Sequence, residues 1–546
     1  MHKIVHEAKR QEAHPQLTRG QAPPASYYRD NCSEAFDFVF SQYKEMLPQH
    51  SLCQLNAYLG CSQDSQRLFA RLLTRKGPLF RLDSLNYREV ENIGQAIEEL
   101  INRRLINDQK VVPADRALGL LTKKELQVLW PHLDLSLRKT DLCLRLLSQH
   151  SDRQIVEKVQ SSIPFIKLYD RESWSLFEFL YFGNEFQGWS EFVVRDLGIA
   201  NFESPASTTR QFSSINEMTS HLDLLQCASY ARRLDEFTEL GGYLVERLKE
   251  PRTNLVSSRK RARILSRIAK WAEKNEHFKL ACDAYRLIDQ HPARERLVRI
   301  NHKLGKIEER DELLSEIYGA PLSEEEEQFA QRFGKRNAGY NPKTTVIELE
   351  PFKGSVEQAV LGELTKKGGW GVHSENSLLK SLTGIAYWGP IHLPVPGAFT
   401  NPFQSAPHDL FEPDFVVARS KEIGALEHRL EHRGELKEHI LDVVENKRGI
   451  YSSLVDWRLF EKFPVTEFVD AIGLADLFRL ISYFVRHLGS RRKGFPDLFV
   501  SYSDASYEFI EVKGPGDQLS LSQRVWLQRL ESMSIPSRVV KVKLPA

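Results

Sequence analysis

A chain of 546 residues is long for one hydrophobic core, so roughly two to four domains are expected. Charged residues make up 27% and hydrophobic residues 41%, the balance of a soluble globular protein. The net charge of +2 implies neither a polybasic tail nor an acidic surface that excludes nucleic acid, so any DNA binding must come from local basic patches.

No apolar run approaches the length of a membrane span, and the opening MHKIVHEAKRQ has no apolar core of a secretory signal. The six cysteines (Cys32, Cys53, Cys61, Cys143, Cys227, Cys282) show no CxxC or Cys/His pairing. That argues against a zinc finger and a disulfide framework and fits a reducing compartment. Residues 1 to about 30 are polar, with Pro15, Pro23 and Pro24, and read as a largely unstructured tail. An aromatic helical segment follows from Cys32 and completes a first division, 1–64. Cys53 and Cys61, flanked by apolar residues, read as core thiols.

Residues 65–150 form the second division. Gly77-Pro78 breaks a helix, and helices resume to near Leu105, which suggests a small helical or winged-helix unit. Arg71, Arg75, Lys76 and Arg81 gather at the break. They are either a phosphate-binding patch or a solvated helical face. Within Leu121–Leu147, a helix carrying Leu126 and Leu129 stops at Pro131, and a second runs from Thr140. With Arg138 and Lys139 in the link, this pair resembles a SAP helix-extended-helix DNA-binding module.

Residues 151–335 read as helical almost throughout. Ala262 to Ile288 resembles one tetratricopeptide unit, with Trp271, Ala281 and Tyr285 at the packing positions. Arg259, Lys260, Arg261, Arg263 and Arg267 place five basic residues in nine positions, a stripe suited to backbone phosphates. The run Glu324–Glu327 reads as the start of a solvated helix.

A composition break at 334–342 opens the last division, 336–546, expected to fold by itself. Thr344 to Glu350 reads as a strand and 354–366 as a helix. Glu375 then sits near the start of an apolar helix, where the helix dipole favours a carboxylate. Further on, Leu498-Phe499-Val500 and Tyr507 to Lys513 are two short runs separated by turn residues, a β-hairpin. Period-two alternation puts Glu511 and Lys513 on one face, with Asp497 at the start of the neighbouring strand. A helix capped by Ser520 or Ser522 carries Gln523, Trp526, Leu527 and Leu530 on one side. Pro496-Asp497, Glu511-Val512-Lys513 and Gln523 together make the PD-(D/E)xK nuclease signature. Hard Mg²⁺ or Mn²⁺ suits such a pocket. Asp497, Glu511 and the Val512 carbonyl are the expected ligands, Lys513 places the attacking water, and Gln523 orients water or phosphate. Two ions require another carboxylate, assigned to Glu375; the competing role is a helix-dipole carboxylate. His373 and His408 read as structural.

With these residues in hand, the chain resembles the Fanconi-associated nuclease family, whose nuclease module is called VRR-NUC. The resemblance extends to the segment around Glu375, Pro407 to Leu410 with Asp414-Phe415, Ser453 to Trp457, and the stretch from Arg71 to Leu100. It implies a multidomain fold: a mostly α-helical N-terminal two-thirds, with winged-helix/SAP-like and tetratricopeptide-like helices, and a C-terminal α/β restriction-endonuclease-like domain. It also implies cleavage of branched or flapped DNA near 5′ flaps, 5′ to 3′ exonuclease activity, and a place in interstrand crosslink repair beside other repair proteins. Animal members carry an N-terminal ubiquitin-binding zinc finger that has no counterpart here, so the chain resembles a bacterial-type member, cytoplasmic and nucleoid-associated. In a eukaryote it would be nuclear. The rival readings are a Holliday-junction resolvase and a catalytically inactive helical-repeat scaffold.

Overall fold

The computed structural model describes residues 24–75, 77, 79–108, 112–192, 201–203, 209–333, 340–366, 368–375, 377–432 and 434–543. Most of the expected N-terminal tail, Lys76 and most of the break at 334–342 lie outside them. The chain parts into two compact units, one reaching Asn201 and including Thr209–Gln211, the other including Phe202 and running on from Phe212.

The first unit is helical around an aromatic core in which Phe36, Tyr58, Phe69, Trp174 and Phe177 meet edge to face or tilted. It also holds a three-stranded antiparallel sheet of β1 (Leu79–Arg81), β2 (Ile106–Asn107) and β3 (Phe165–Leu168), ordered β1-β3-β2. The register Phe80↔Ile166 and Ile106↔Leu168 makes β3 the centre. The boundary expected at residue 150 therefore cuts through one sheet, and residues 151 onward are not purely helical. Local cues hide this, because β3 is four residues long and pairs only with distant segments. The SAP-like pair forms as Lys123–Leu129 and Lys139–Gln149. Thr122 and Glu125 cap the first helix reciprocally, and Leu126, Leu142 and Leu146 share a buried cluster with Trp130. Cys61 is buried as expected, whereas Cys53 is exposed.

The second unit begins with antiparallel helix pairs. Leu255–Lys274 and Phe278–Tyr285 make the tetratricopeptide-like hairpin, and Ala293–Lys303 with Ile307–Gly319 makes another that sequence similarity alone had not revealed. Helix Leu240–Arg247 packs closely on this hairpin, where a β-carbon on Gly241 would come 2.8 Å from the Leu280 Cδ2 methyl and force that side chain aside. Glu324–Phe333 follows and packs on Leu521–Ser532. Its acidic start is not solvated. Glu325 and Glu326 are buried, Glu326 pairs with Arg294, and Glu324 and Glu325 with Arg491.

The five-stranded sheet of the last division holds β4 (Thr344–Glu348), β5 (Trp370–His373), β6 (Leu498–Ser501), β7 (Tyr507–Lys513) and β8 (Ser537–Lys543), ordered β4-β8-β7-β6-β5. β8 runs parallel to both β4 and β7, and the other pairings are antiparallel. Helix Val356–Thr365 covers one face, where Val360 packs with Val500, Ile510, Val512 and Val540. On the other face Phe499, Tyr507 and Phe509 join Trp526, Leu530 and a helical layer inserted between β5 and β6. β6 and β7 are thus buried on both faces.

Candidate active site

The strand–turn–strand geometry brings four of the expected residues together. Asp497 stands one residue before β6, and its Oδ2 accepts from the Val512 backbone N–H on β7 at 2.8 Å. Glu511 is 1% exposed; Lys513 Nζ lies 2.7 Å from its Oε1, and Gln523 donates to the same oxygen at 2.5 Å. Gln523 is anchored at its other end, where its Oε1 accepts from Ser520 N–H at 2.9 Å in a capping box. Gln523 therefore bridges the Ser520 backbone and Glu511. Gly494 allows this approach. Its φ is +87°, and a β-carbon there would lie 2.8–2.9 Å from backbone atoms of Ser522 and Gln523.

Glu375 enters from a third element. It sits in the turn after β5, two residues ahead of Ser377, the residue that precedes helix Leu378–Ala386, so it is not a first-turn helix carboxylate. The N–H groups of Ser374 and Glu375 both donate to the Asp497 carbonyl, at 2.7 and 3.2 Å, and tie this turn to the start of β6. His373, Glu375 and Asp497 offer ligand atoms within 4.8 Å of one another, so His373 borders the site as well. By contrast, His408 is deeply buried against Thr400, and burial lowers it to about 4. Val512 is buried in register with Val540.

The electrostatics suit a cation. Burial, then the neighbouring Asp497 charge, push Glu511 up to about 8 despite Lys513. Burial also raises Asp497, with Glu375 adding to the shift. Glu511 Oε2 is buried without a hydrogen-bond partner among the described residues. A converging set of oxygen donors with one unsatisfied carboxylate oxygen fits a hard divalent ion.

Comparison with known proteins agrees with this geometry. Residues 432–544 match the VRR-NUC domain, and residues 26–107 match the model described as FAN1, HTH domain. The Fanconi-associated nuclease 1 homolog of Pseudomonas aeruginosa is 30% identical, over 95% of this chain and 96% of that protein. The chain belongs to the Fanconi-associated nuclease family. The homolog from Oryza sativa subsp. japonica is 24% identical, over 95% of this chain and 63% of its own length. The crystal structure of paFAN1 bound to 2nt 5′flap DNA with gap superposes with a TM-score of 0.88 at 29% identity, covering 96% of this chain and all of that one. As a Fanconi-associated nuclease, the protein is a DNA hydrolase whose nuclease domain uses divalent metal.

The basic residues expected to grip DNA in this family member divide sharply. Arg261 is buried and donates to the carbonyls of Leu248, Lys249 and Leu287, so it holds helices together and is not a phosphate ligand. Arg259 is paired with Asp414 and Glu412, and Arg263 with Glu412. Arg259 and Arg263 of the stripe are therefore engaged in intramolecular ion pairs, while Arg263 itself and Arg267 remain exposed. In the first unit Arg81 is held by Asp83 and Glu125, and Lys139 donates to the Gly119 carbonyl. Arg71 pairs with Glu89, and Arg75 donates to the Tyr87 hydroxyl. Arg138 is exposed, Lys260 is half-buried, and Lys76 lies outside the described residues. A cavity of about 1570 Å³ in the second unit is lined by further cations, Lys270, Lys274, Arg492 and Lys493, interleaved with carboxylates that include Glu273, Asp289 and Glu412, and its lining takes in Leu521 and Ser522, next in sequence to Gln523. The available signal was the basic triplet Arg491-Arg492-Lys493 directly ahead of Gly494.

Proposed function

We propose that this nuclease cuts DNA near 5′ flaps with 5′ to 3′ exonuclease activity and serves interstrand crosslink repair in the bacterial cytoplasm, where further repair proteins join it. The observation that carries the reading is the convergence of Asp497, Glu511, Lys513 and Glu375 at one end of a hairpin whose strands are covered on both faces, within a chain similar along nearly its whole length to a protein solved with flap DNA. Asp497, Glu511 and Glu375, with the Val512 carbonyl, would hold Mg²⁺ or Mn²⁺, two ions when fully loaded. Such ions relieve phosphate charge and lower the pKa of bound water.

The chain's own residues supply the rest. Lys513, a compact cation against Glu511, positions the attacking water and offsets negative charge developing on the phosphate. Gln523 holds Glu511 in one rotamer from the capped helix. Lys270, Lys274, Arg492 and Lys493 draw the sugar–phosphate backbone into the cavity beside them. The SAP-like/winged-helix region, which takes in β3 beyond residue 150, and the tetratricopeptide-like helices bind the duplex arms, and residues 336–546 form the nuclease module. The test is labelled 5′-flap DNA incubated with and without Mg²⁺ or Mn²⁺, beside a four-way junction. Metal-dependent cleavage of the flap over the junction supports the reading; preference for the junction makes the chain a resolvase, and no cleavage with any metal makes it a scaffold.

A further inference from the structure

Phe186 is 90% exposed, far more than any other large apolar side chain of the first unit apart from Val128. It is nonetheless firmly presented. Asn184 Oδ1 accepts from the N–H groups of Phe186 and Gln187, both at 2.9 Å, while Asn184 Nδ2 donates to the Phe182 carbonyl and to Gln187 Oε1, also at 2.9 Å. Gly183 turns the chain out of helix Arg171–Phe182 at φ +69°, and Glu178 accepts from Trp189 N–H where the chain returns. A side chain so exposed gains nothing from the core, yet its backbone is fixed on both sides.

The same turn contributes Ser190 to a pocket of about 400 Å³ whose other walls are Tyr28, Arg71, Thr74, Arg75, Ser84 and Tyr87. There the Arg71 guanidinium lies over the Tyr28 ring at 3.7 Å and near Tyr87 at 5.1 Å. Four residues of chain span at most about 14 Å, which bounds the separation of Phe186 from Ser190 on the wall of this pocket. Cations for the backbone beside an open aromatic face for a base is the pattern by which single strands are held. We infer that Phe186 is a stacking platform for an unpaired nucleobase of the DNA substrate, with the Arg71–Arg75 pocket taking an adjacent phosphate. An apolar protein partner is disfavoured, because the pocket walls are hydroxyls and guanidinium groups rather than apolar side chains; Arg71 there is shared with Glu89, and Glu185 stands exposed beside Phe186. This inference rests on the flap-nuclease reading above.

The experiment measures equilibrium binding of the full chain, in Ca²⁺ without turnover, to flapped DNA, to the same DNA with abasic flap positions, and to fully paired duplex. Phe186→Ala is expected to weaken flapped-DNA binding by roughly five- to a hundredfold and to leave duplex binding unchanged. Phe186→Trp should restore binding and Phe186→Leu should not. On the abasic flap, wild type and Phe186→Ala should coincide. Equal affinity of wild type and Phe186→Ala for the flapped DNA, equal losses on duplex, or full rescue by leucine would each overturn the platform. Metal-dependent cleavage by wild type, run in parallel, separates failure of this inference from failure of the nuclease assignment.

Discussion

Glu511 is the residue on which the site's chemistry turns, because it meets Lys513 and Gln523 at one oxygen and leaves the other bare. Its raised pKa fixes a sign. The folded protein holds a proton that the unfolded chain gives up near the ordinary carboxylate value. The resulting stabilisation is full below that value and lost as pH rises through about 8. In the metal-free protein the melting temperature should therefore fall between pH 5 and pH 9, and Glu511→Gln should flatten that fall; an unchanged slope in the variant refutes the assignment. Divalent metal acts oppositely, favouring the ionised carboxylates. A hundredfold excess over Kd should add about 2.7 kcal/mol of stability, more evidently at high pH. For turnover, Asp497→Asn, Glu511→Gln and Lys513→Ala should each lower cleavage by about a hundredfold or more while flap-DNA affinity persists. Wild-type rates in Lys513→Ala would remove it from the mechanism. Glu375→Gln should raise the metal concentration needed and barely move the melting curve, since Glu375 precedes the helix it was expected to cap. Gln523→Ala should cost about 10–100-fold, recoverable in part by added metal.

At the scale of elements, the hairpin and its following helix were legible because their chemistry is local. Pro496-Asp497, the Glu-x-Lys alternation and the capped amphipathic helix all lie between Pro496 and Ser532. What sequence did not disclose was burial on both faces of β7, which follows from coverage by Val360 on one side and Trp526 on the other. Nor did it disclose the fate of the arginine stripe, since the partners of Arg259 lie about 150 residues away, at Glu412 and Asp414. Basic runs look alike in sequence whether they meet phosphate or carboxylate. Gly494→Ala tests the junction of these elements. Both the positive φ and the approach to the Ser522–Gln523 backbone oppose a β-carbon, so the helix must shift. The expected result is a loss of more than about 1 kcal/mol in denaturant unfolding together with an activity loss like that of Gln523→Ala; a variant indistinguishable from wild type would show the approach is not needed.

For the whole molecule, the boundary at 335/336 is weaker than composition implied. Arg491 is 2% exposed and rests on Glu324 and Glu325, and Arg529 also reaches Glu324. A fragment starting at residue 336 strips Arg491 of both carboxylates, and an uncompensated buried charge costs about 3–5 kcal/mol. A fragment starting at residue 212 keeps them. Thermal melting should show one cooperative transition for the longer fragment and an early or broad one for the shorter. Equal melting temperatures would restore the compositional boundary.

The order β4-β8-β7-β6-β5 carries a consequence for synthesis. Of the described strands, β8 leaves the ribosome last, yet it lies inside the sheet, with β4 on one side and β7 on the other. Until it arrives, β7 presents an open edge and Glu511 has no finished strand to hold it. The nascent chain thus completes its helices before the sheet closes, and a premature stop just ahead of Ser537 would leave β7, with Glu511 and Lys513, as an open edge strand.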